Sequence, residues 1–485
     1  MPNVAYVRDD VKAARKVWTL IDDCIKGEIA IKAKGEKYLP KPSTEIDPEQ
    51  GDLRYKAYLL RAMFYNVTGR TLDGLVGQVF SKDTEVEIPE PMAMYIDDID
   101  GAGTSLDQQS KIVMQTTLAK GHGGILSDFP TLEGTATKAD LESKRVRPRI
   151  INIAPEKIIN WRMAPFGGES LLSLLVIEEE KVIADDFECT KEPRWRVYRL
   201  ISIEGKLAAE VSVWKESSPS DPEYKQGEAY VVESGPSLVK NYSGAYVDRV
   251  PFEFVGSMNN EPIIDKPPMQ DLASMNIAHY RNSADYEESL FMVGQPTLVI
   301  SGLNEQWARE FINGKVILGS RSAISLPKEC KADMLQPHPN IMPKEGMEHK
   351  ENQMKALGAK LIEPNFSKVT ATEVLMEAAS ESSILTSTAN NVSAAYRKAI
   401  ANAGQFLGEI KAEDVTFQLN TDYSVSKMTA QERQQLMAEW QGGGITWDEY
   451  RDRLREAGIA TEDDDVAKTK VVTVEDTSTI TKTEV

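Results

Sequence analysis

Cysteine, histidine and long apolar runs are all scarce in this chain. Its 485 residues hold three cysteines, Cys24, Cys189 and Cys330. An odd number set far apart excludes a disulfide framework and fits a reducing compartment. The four histidines, His122, His279, His338 and His349, lack the close partner spacing of a zinc site. No stretch of about 18 apolar residues occurs, and the N-terminal "MPNVAYVRDDVKAARKVW" is charged where a secretory signal would be apolar. Neither a membrane span nor export by that route is expected. Cations are short too: 56 Lys and Arg stand against 75 Asp and Glu, a formal net charge of −19. Tight binding to a polyanion draws on cations that neutralise phosphates. The balance therefore excludes a strong grip while permitting a wall past which a polyanion slides.

Nucleotide and hydrolase signatures are absent as well. There is no G-x-x-x-x-G-K-[ST] loop and no G-x-G-x-x-G turn, so neither ATP hydrolysis nor dinucleotide binding has a recognisable site. Gly121 to Gly124, "GHGG", could donate backbone N–H groups as an oxyanion hole does. The matching G-x-S-x-G elbow is missing, and a turn between helix and strand explains the glycines better. No catalytic residue, cofactor site or metal site is expected, and the chain reads as non-enzymatic.

What is present is an α+β pattern. Helices are expected over about 9–25 and 106–118, with a further helical pattern in "LRYKAYLLRAMFYNVTGRTLDGLVGQVF". From Pro148 to Phe254 short β segments dominate, broken by turn residues. After the Pro267-Pro268 pair a stretch without Gly or Pro runs to Gly294, and a helix over 267–293 would extend about 40 Å at about 1.5 Å per residue. Its apolar residues occupy several sides, with Asn276, Arg281, Asn282, Asp285, Glu287 and Glu288 scattered among them. Such a surface suits neither a dry core nor open solvent. A strand-rich insert follows, with a short helix near Trp307 and Phe311, then a helix over about 344–362 and a short loop.

The longest helix is expected to start at a capping box, Thr370 to Glu373. Leu375, Ala378, Leu385, Ala389, Val392, Tyr396, Ala399 and Phe406 then recur at three-four spacing, a heptad-like seam that suits packing against a neighbouring subunit. A core helix of one large chain explains the seam almost as well. Two further helices flank Gly442 to Gly444; a DNA-reading helix-turn-helix is disfavoured there, because Glu432, Glu439, Asp448, Glu449 and Asp452 would face phosphates. The last stretch, residues 461–485, is polar and acidic and reads as disordered.

This order of elements, with the phrases "RAMFYNVTGRTLDGLVGQVF", "GGILSDFP", "APEKIINWR", "DLASMNIAHYRNSADYEESLFMVGQPTLVISG" and "IEPNFSKVTATEVLMEAASESSILTSTANNVSAAY", resembles the portal (head-to-tail connector) proteins of tailed bacteriophages, most closely the podovirus type. The resemblance covers roughly Leu53 to Gly458 and rests on several phrases in order, since no single motif is diagnostic. It implies a ring of typically twelve subunits at a capsid vertex, with double-stranded DNA packaged and ejected through the channel. Partners would be a terminase, a tail adaptor and the major capsid protein. The protein would reside in the virion, and in host cytoplasm during assembly.

Mapped onto this chain, the resemblance implies a wing over 1–266, stem helices over 267–293 and 344–362 and a β-containing clip over 294–343. A tunnel loop over 363–370, a long tunnel helix with return strand over 371–426 and a small helical crown over 427–460 would follow. Asn365, Phe366, Ser367 and Lys368 in the loop would lie near DNA, although Phe366 could equally anchor the loop on its own subunit and Lys368 be simply solvated. A head-tail adaptor or capsid-associated scaffold is the alternative reading.

Overall fold

The computed structural model describes residues 3–42, 48–130, 147–185, 187–219, 228–241, 243–295, 297–302, 329–335, 341–359, 361, 383–406, 411–421, 423, 430–456 and 459–460. They fall into two compact units, Met1–Thr421 and Asp422–Val485.

The larger unit opens with α1 (Asp9–Lys26), α2 (Glu28–Ala33), α3 (Pro48–Arg61) and α4 (Val67–Val79). The single helical pattern read over α3 and α4 is interrupted. Asn66 leaves helical geometry and its side chain accepts from the Gly69 N–H at 2.8 Å, so α4 starts afresh with its own cap. Next come β1 (Glu85–Glu87), α5 (Met94–Asp97) and α6 (Leu106–Lys120). α6 starts at a capping box of Ser105 and Gln108 and stops at Gly121, which is left-handed at φ 71°. A Cβ on Gly121 would meet the Asp265 carbonyl at 2.9 Å, so the position excludes a side chain.

β2 (His122–Asp128), β3 (Arg149–Ile153) and β9 (Phe252–Gly256) form a three-stranded antiparallel sheet in the order β3-β2-β9. Between β3 and β9 in sequence lies a five-stranded antiparallel meander of β4 (Ile158–Phe166), β5 (Glu169–Asp185), β6 (Glu188–Ile203), β7 (Lys206–Glu216) and β8 (Tyr230–Leu238). One face of the meander supplies Leu175, Ile177, Tyr198 and Ala209 to a core shared with Trp18, Trp161, Phe252 and Phe254. The other face carries Val176, Trp195 and Val197. Each such buried large apolar side chain contributes about 2–3 kcal/mol relative to exposure.

The chain then runs through α7 (Gln270–Val293), β10 (Thr297–Ser301), β11 (Lys331–Leu335) and α8 (Met342–Ala359). α9 (Ile384–Gly404) and β12 (Thr416–Gln418) complete the unit, with β12 pairing to β1. α9 does not continue an unbroken helix from Thr370: Ser383, at φ −60° and ψ 157°, is non-helical and its side chain caps the Thr386 N–H. The expected capping box at Thr370, the helix near Trp307 and the tail from Thr461 lie outside the described residues.

The smaller unit holds α10 (Ala430–Gln441) and α11 (Trp447–Glu456). Glu449 accepts from the Thr446 N–H at 2.8 Å and its own N–H reaches the Thr446 hydroxyl at 3.2 Å, a capping box at the start of α11. Trp440 stacks on Tyr450 with ring centroids 5.1 Å apart.

The "GHGG" glycines serve packing. A Cβ on Gly124 would come within 2.1 Å of the Phe252 ring, so Gly124→Ala should cost about 2–3 kcal/mol in denaturant unfolding. A change near zero would show that Phe252 moves freely aside. Beside it His122 is buried among Trp18, Trp161 and Phe254, with centroids 6.5, 5.5 and 5.7 Å away, and neither ring nitrogen has a hydrogen-bond partner among the described residues. Burial pushes its pKa from 6.5 down to about 4. Between those values the unfolded chain takes up a proton that the folded chain refuses. The contribution is therefore complete above pH 6.5 and is lost as pH falls toward 4, by about 3 kcal/mol in total. His122→Phe should flatten that limb of the stability–pH curve, measured by thermal melts across the range.

Candidate functional site

No cluster of three or more His, Cys, Asp or Glu able to hold a metal occurs among the described residues. His122 is enclosed by rings, and His279 faces Glu351 at 3.4 Å, its pKa lowered by burial against the opposing pull of that carboxylate. No described helix is long and apolar enough to cross a membrane. The feature that stands out is the excursion made by α7, β10, β11 and α8.

α7 is 24 residues long, about 36 Å at about 1.5 Å per residue. The Pro267-Pro268 pair precedes it, Asp271 sits in its first turn where the dipole favours a carboxylate, and it ends at Gly294, which stays right-handed at φ −70°. α8 packs against α7 running the opposite way, His279 meeting Glu351 while Asn282 lies beside Gly346. A Cβ at Gly346 would be 2.7 Å from Asn282 Nδ2. The glycine thus permits the close approach.

Four of the scattered polar residues of α7, Asn276, Arg281, Asp285 and Glu288, find partners within the chain. Asn276, fully buried, accepts from the backbone N–H groups of Val67 and Thr68 at 3.2 and 3.1 Å and donates to the Tyr65 carbonyl at 2.8 Å. It therefore caps α4 from outside the helix. Ser283 exchanges bonds of 2.9 and 2.8 Å with the Met63 backbone, and Arg281 donates to the Tyr38 carbonyl at 2.8 Å. Tyr58 donates to Asp285 at 2.6 Å, and Arg61 pairs with Glu288. For these residues the mixed surface of α7 meets α3, α4 and the segments beside them.

That support ends with the helix's last turn. Leu290, Phe291 and Met292 are 49, 40 and 52% exposed, with Arg61 stacked 4.1 Å over the Phe291 ring. β10 and β11 then pair from Thr297↔Leu335 to Ser301↔Lys331 with every described residue of β11 exposed, and Val299, Met334 and Leu335 lie 43, 53 and 63% open. Apolar side chains and strand edges thus lie largely open at the far end of the helix pair among the described residues.

The candidate seam resolves differently. Leu385, Ala389, Val392, Tyr396, Ala399 and Phe406 are all 0% exposed within the single chain. Tyr396 donates to Gln109 at 3.0 Å, Ser127 donates to the Ala399 carbonyl at 2.8 Å, and Phe406 meets Phe129 edge-on at 5.8 Å. These six residues are core of their own chain, so the seam they form is no free face for a neighbour; three-four spacing reports burial without naming what does the burying. Leu375 and Ala378 lie outside the described residues, as do Asn365, Phe366, Ser367 and Lys368.

Residues 268–407 match the family model described as Domain of unknown function (DUF4055), less than half of the chain. No curated protein matches. Among solved structures, a chain of the neck of an empty GTA particle computed with C6 symmetry is 13% identical, over 82% of this chain and 91% of that one, at a TM-score of 0.39. A chain of the virion of a native gene transfer agent (GTA) particle is 14% identical over 90% of this chain and 100% of that one, also at 0.39. Superposition at that level carries no argument about function.

Asn276 is the pivot that polar scatter on the sequence did not single out. Asn276→Ala removes the acceptor of the buried Thr68 N–H, while the Val67 N–H keeps its 2.8 Å bond to the Tyr65 carbonyl, and should cost about 1–3 kcal/mol of unfolding free energy. Asn276→Asp, which keeps the acceptor, should recover part of that loss in the same denaturation series; equal loss in both would show that capping is not its role.

Proposed function

We propose that the chain is a structural subunit of a phage-like virion, a portal-type protein whose copies close into a ring around a channel for double-stranded DNA. The observation that carries this reading is the excursion of α7 and α8: a helix pair anchored by Asn276 at one end and bare at the other, tipped by a two-stranded sheet open on both faces. An isolated two-stranded sheet is marginal in water and exposed strand edges invite pairing. Identical copies side by side would cover both, through head-to-tail contacts that close when the rotation between copies divides a circle.

In this reading α7 and α8 are the stem, β10 and β11 belong to the clip, and the units before α7 form the wing. The number twelve comes from the resemblance to phage portals. Twelve copies at −19 each carry about −228, which would keep DNA from settling on the wall. Terminase and a tail adaptor would dock on the ring, whose own part in packaging and ejection would be passive. Residues 363–370 would border the DNA, with Lys368 as its cation.

The test is assembly. Leu290→Asp with Met292→Asp should leave the circular dichroism spectrum and melting of the subunit unchanged, since both side chains are about half exposed, while lowering the assembled fraction in sedimentation velocity at least about tenfold. Undiminished assembly by that variant would remove the stem from the interface.

A further inference from the structure

Two features of the five-stranded sheet are left open to solvent among the described residues. The first is an arm. β4 accompanies β5 only as far as Ile177, and β7 accompanies β6 only from Arg194. Beyond them β5 and β6 pair with each other alone as far as Asp185↔Glu188. Lys157 and Lys191 hold Glu180 at the base, at 3.2 and 3.0 Å. Farther out Val182 and Ile183 are 57 and 39% exposed, and Phe187 at the tip is 100% exposed. In sequence the tip reads Asp185-Asp186-Phe187-Glu188, an aromatic ring among carboxylates.

The second is a groove of about 500 Å³ on the sheet face that carries Val176, Val197 and Trp214. Arg162, Leu174 and Arg199 stand side by side across β4, β5 and β6, so two guanidinium groups flank an apolar floor. Both arginines are exposed and neither pairs with a carboxylate among the described residues, whereas Arg147, Arg149, Arg194 and Arg196 all do. Glu210 lies opposite Arg199 on β7, and the groove keeps a net positive charge. Unpaired arginines around an apolar floor complement an aromatic ring flanked by acids.

We infer that Phe187 of one copy seats in this groove on the next copy, with Glu188 set against Arg162 and Arg199. The tip cannot reach its own groove, because Leu174 and Asp185 are about 35 Å apart along β5 at about 3.3 Å per residue. Both halves of the contact belong to one chain and differ from each other, which is the heterologous geometry that a ring requires. The inference rests on the ring reading and names a second contact for it, distant in sequence from the stem.

Full-length protein with benzoylphenylalanine in place of Phe187, mixed from 14N- and 15N-labelled chains and irradiated, tests the contact. Adducts should join a light and a heavy peptide, the acceptor spanning Ser173 to Val176 or Val197 to Ile201. Arg162→Glu with Arg199→Glu should cut their yield at least about tenfold, and adding Glu188→Arg should restore it. Rings that form yet give no adduct, adducts elsewhere on the chain, or adducts only to another virion protein would overturn the arm contact and leave the ring reading standing. A chain that stays monomeric at every concentration would overturn the ring reading, and the arm contact with it.

Discussion

The structure turns on where α7 stops being covered. Through Glu288 the side chains of Asn276, Arg281, Ser283, Asp285 and Glu288 are met by donors or acceptors from their own chain, and Leu272, Ile277 and Tyr280 are buried. Within the next turn cover disappears, and Leu290, Phe291 and Met292 emerge into solvent. Covering about 100 Å² of apolar surface is worth about 2.5 kcal/mol. A cluster of this kind next to open strand edges therefore supplies a driving force for association that the chain itself leaves unused.

The same contrast separates the two long helices. α7 is anchored at one end and bare at the other, while α9 is enclosed along its length by α6, the β3-β2-β9 sheet and β12, through contacts such as Tyr396 to Gln109 and Asn391 to the Gly256 carbonyl at 2.9 Å. α9 thus serves as the keel of the larger unit. In the proposed ring, interfaces between copies would use surfaces that the core leaves open: the end of α7, the β10 and β11 sheet, and the arm of β5 and β6 with the groove of Arg162 and Arg199.

Much of the helical layout was legible in sequence because its signals are local. α1, α6 and α7 follow from apolar spacing and from Gly and Pro at their ends, and the cap of α11 from Thr446 and Glu449. The breaks were harder. Asn66 and Ser383 each begin a helix inside a stretch whose periodicity runs on without interruption, and only their bonds to Gly69 and Thr386 reveal it. Pairing of β1 with β12 joins Val86 to Phe417, too distant in the chain for pattern to connect. Alternation along β5 looks alike in the sheet and in the arm, since it marks faces and says nothing of neighbouring strands. The seam shows the same limit: spacing located the buried residues of α9 and left open whether the burying partner was the same chain or another.

Electron microscopy of the purified full-length protein tests the central claim most directly. The account predicts a closed annulus of identical subunits, with an opening wide enough for a duplex of about 20 Å and the ends of α7 and the β10 and β11 sheet at the contacts between copies. Solitary particles at all concentrations, or an assembly in which those surfaces face open solvent, would contradict it.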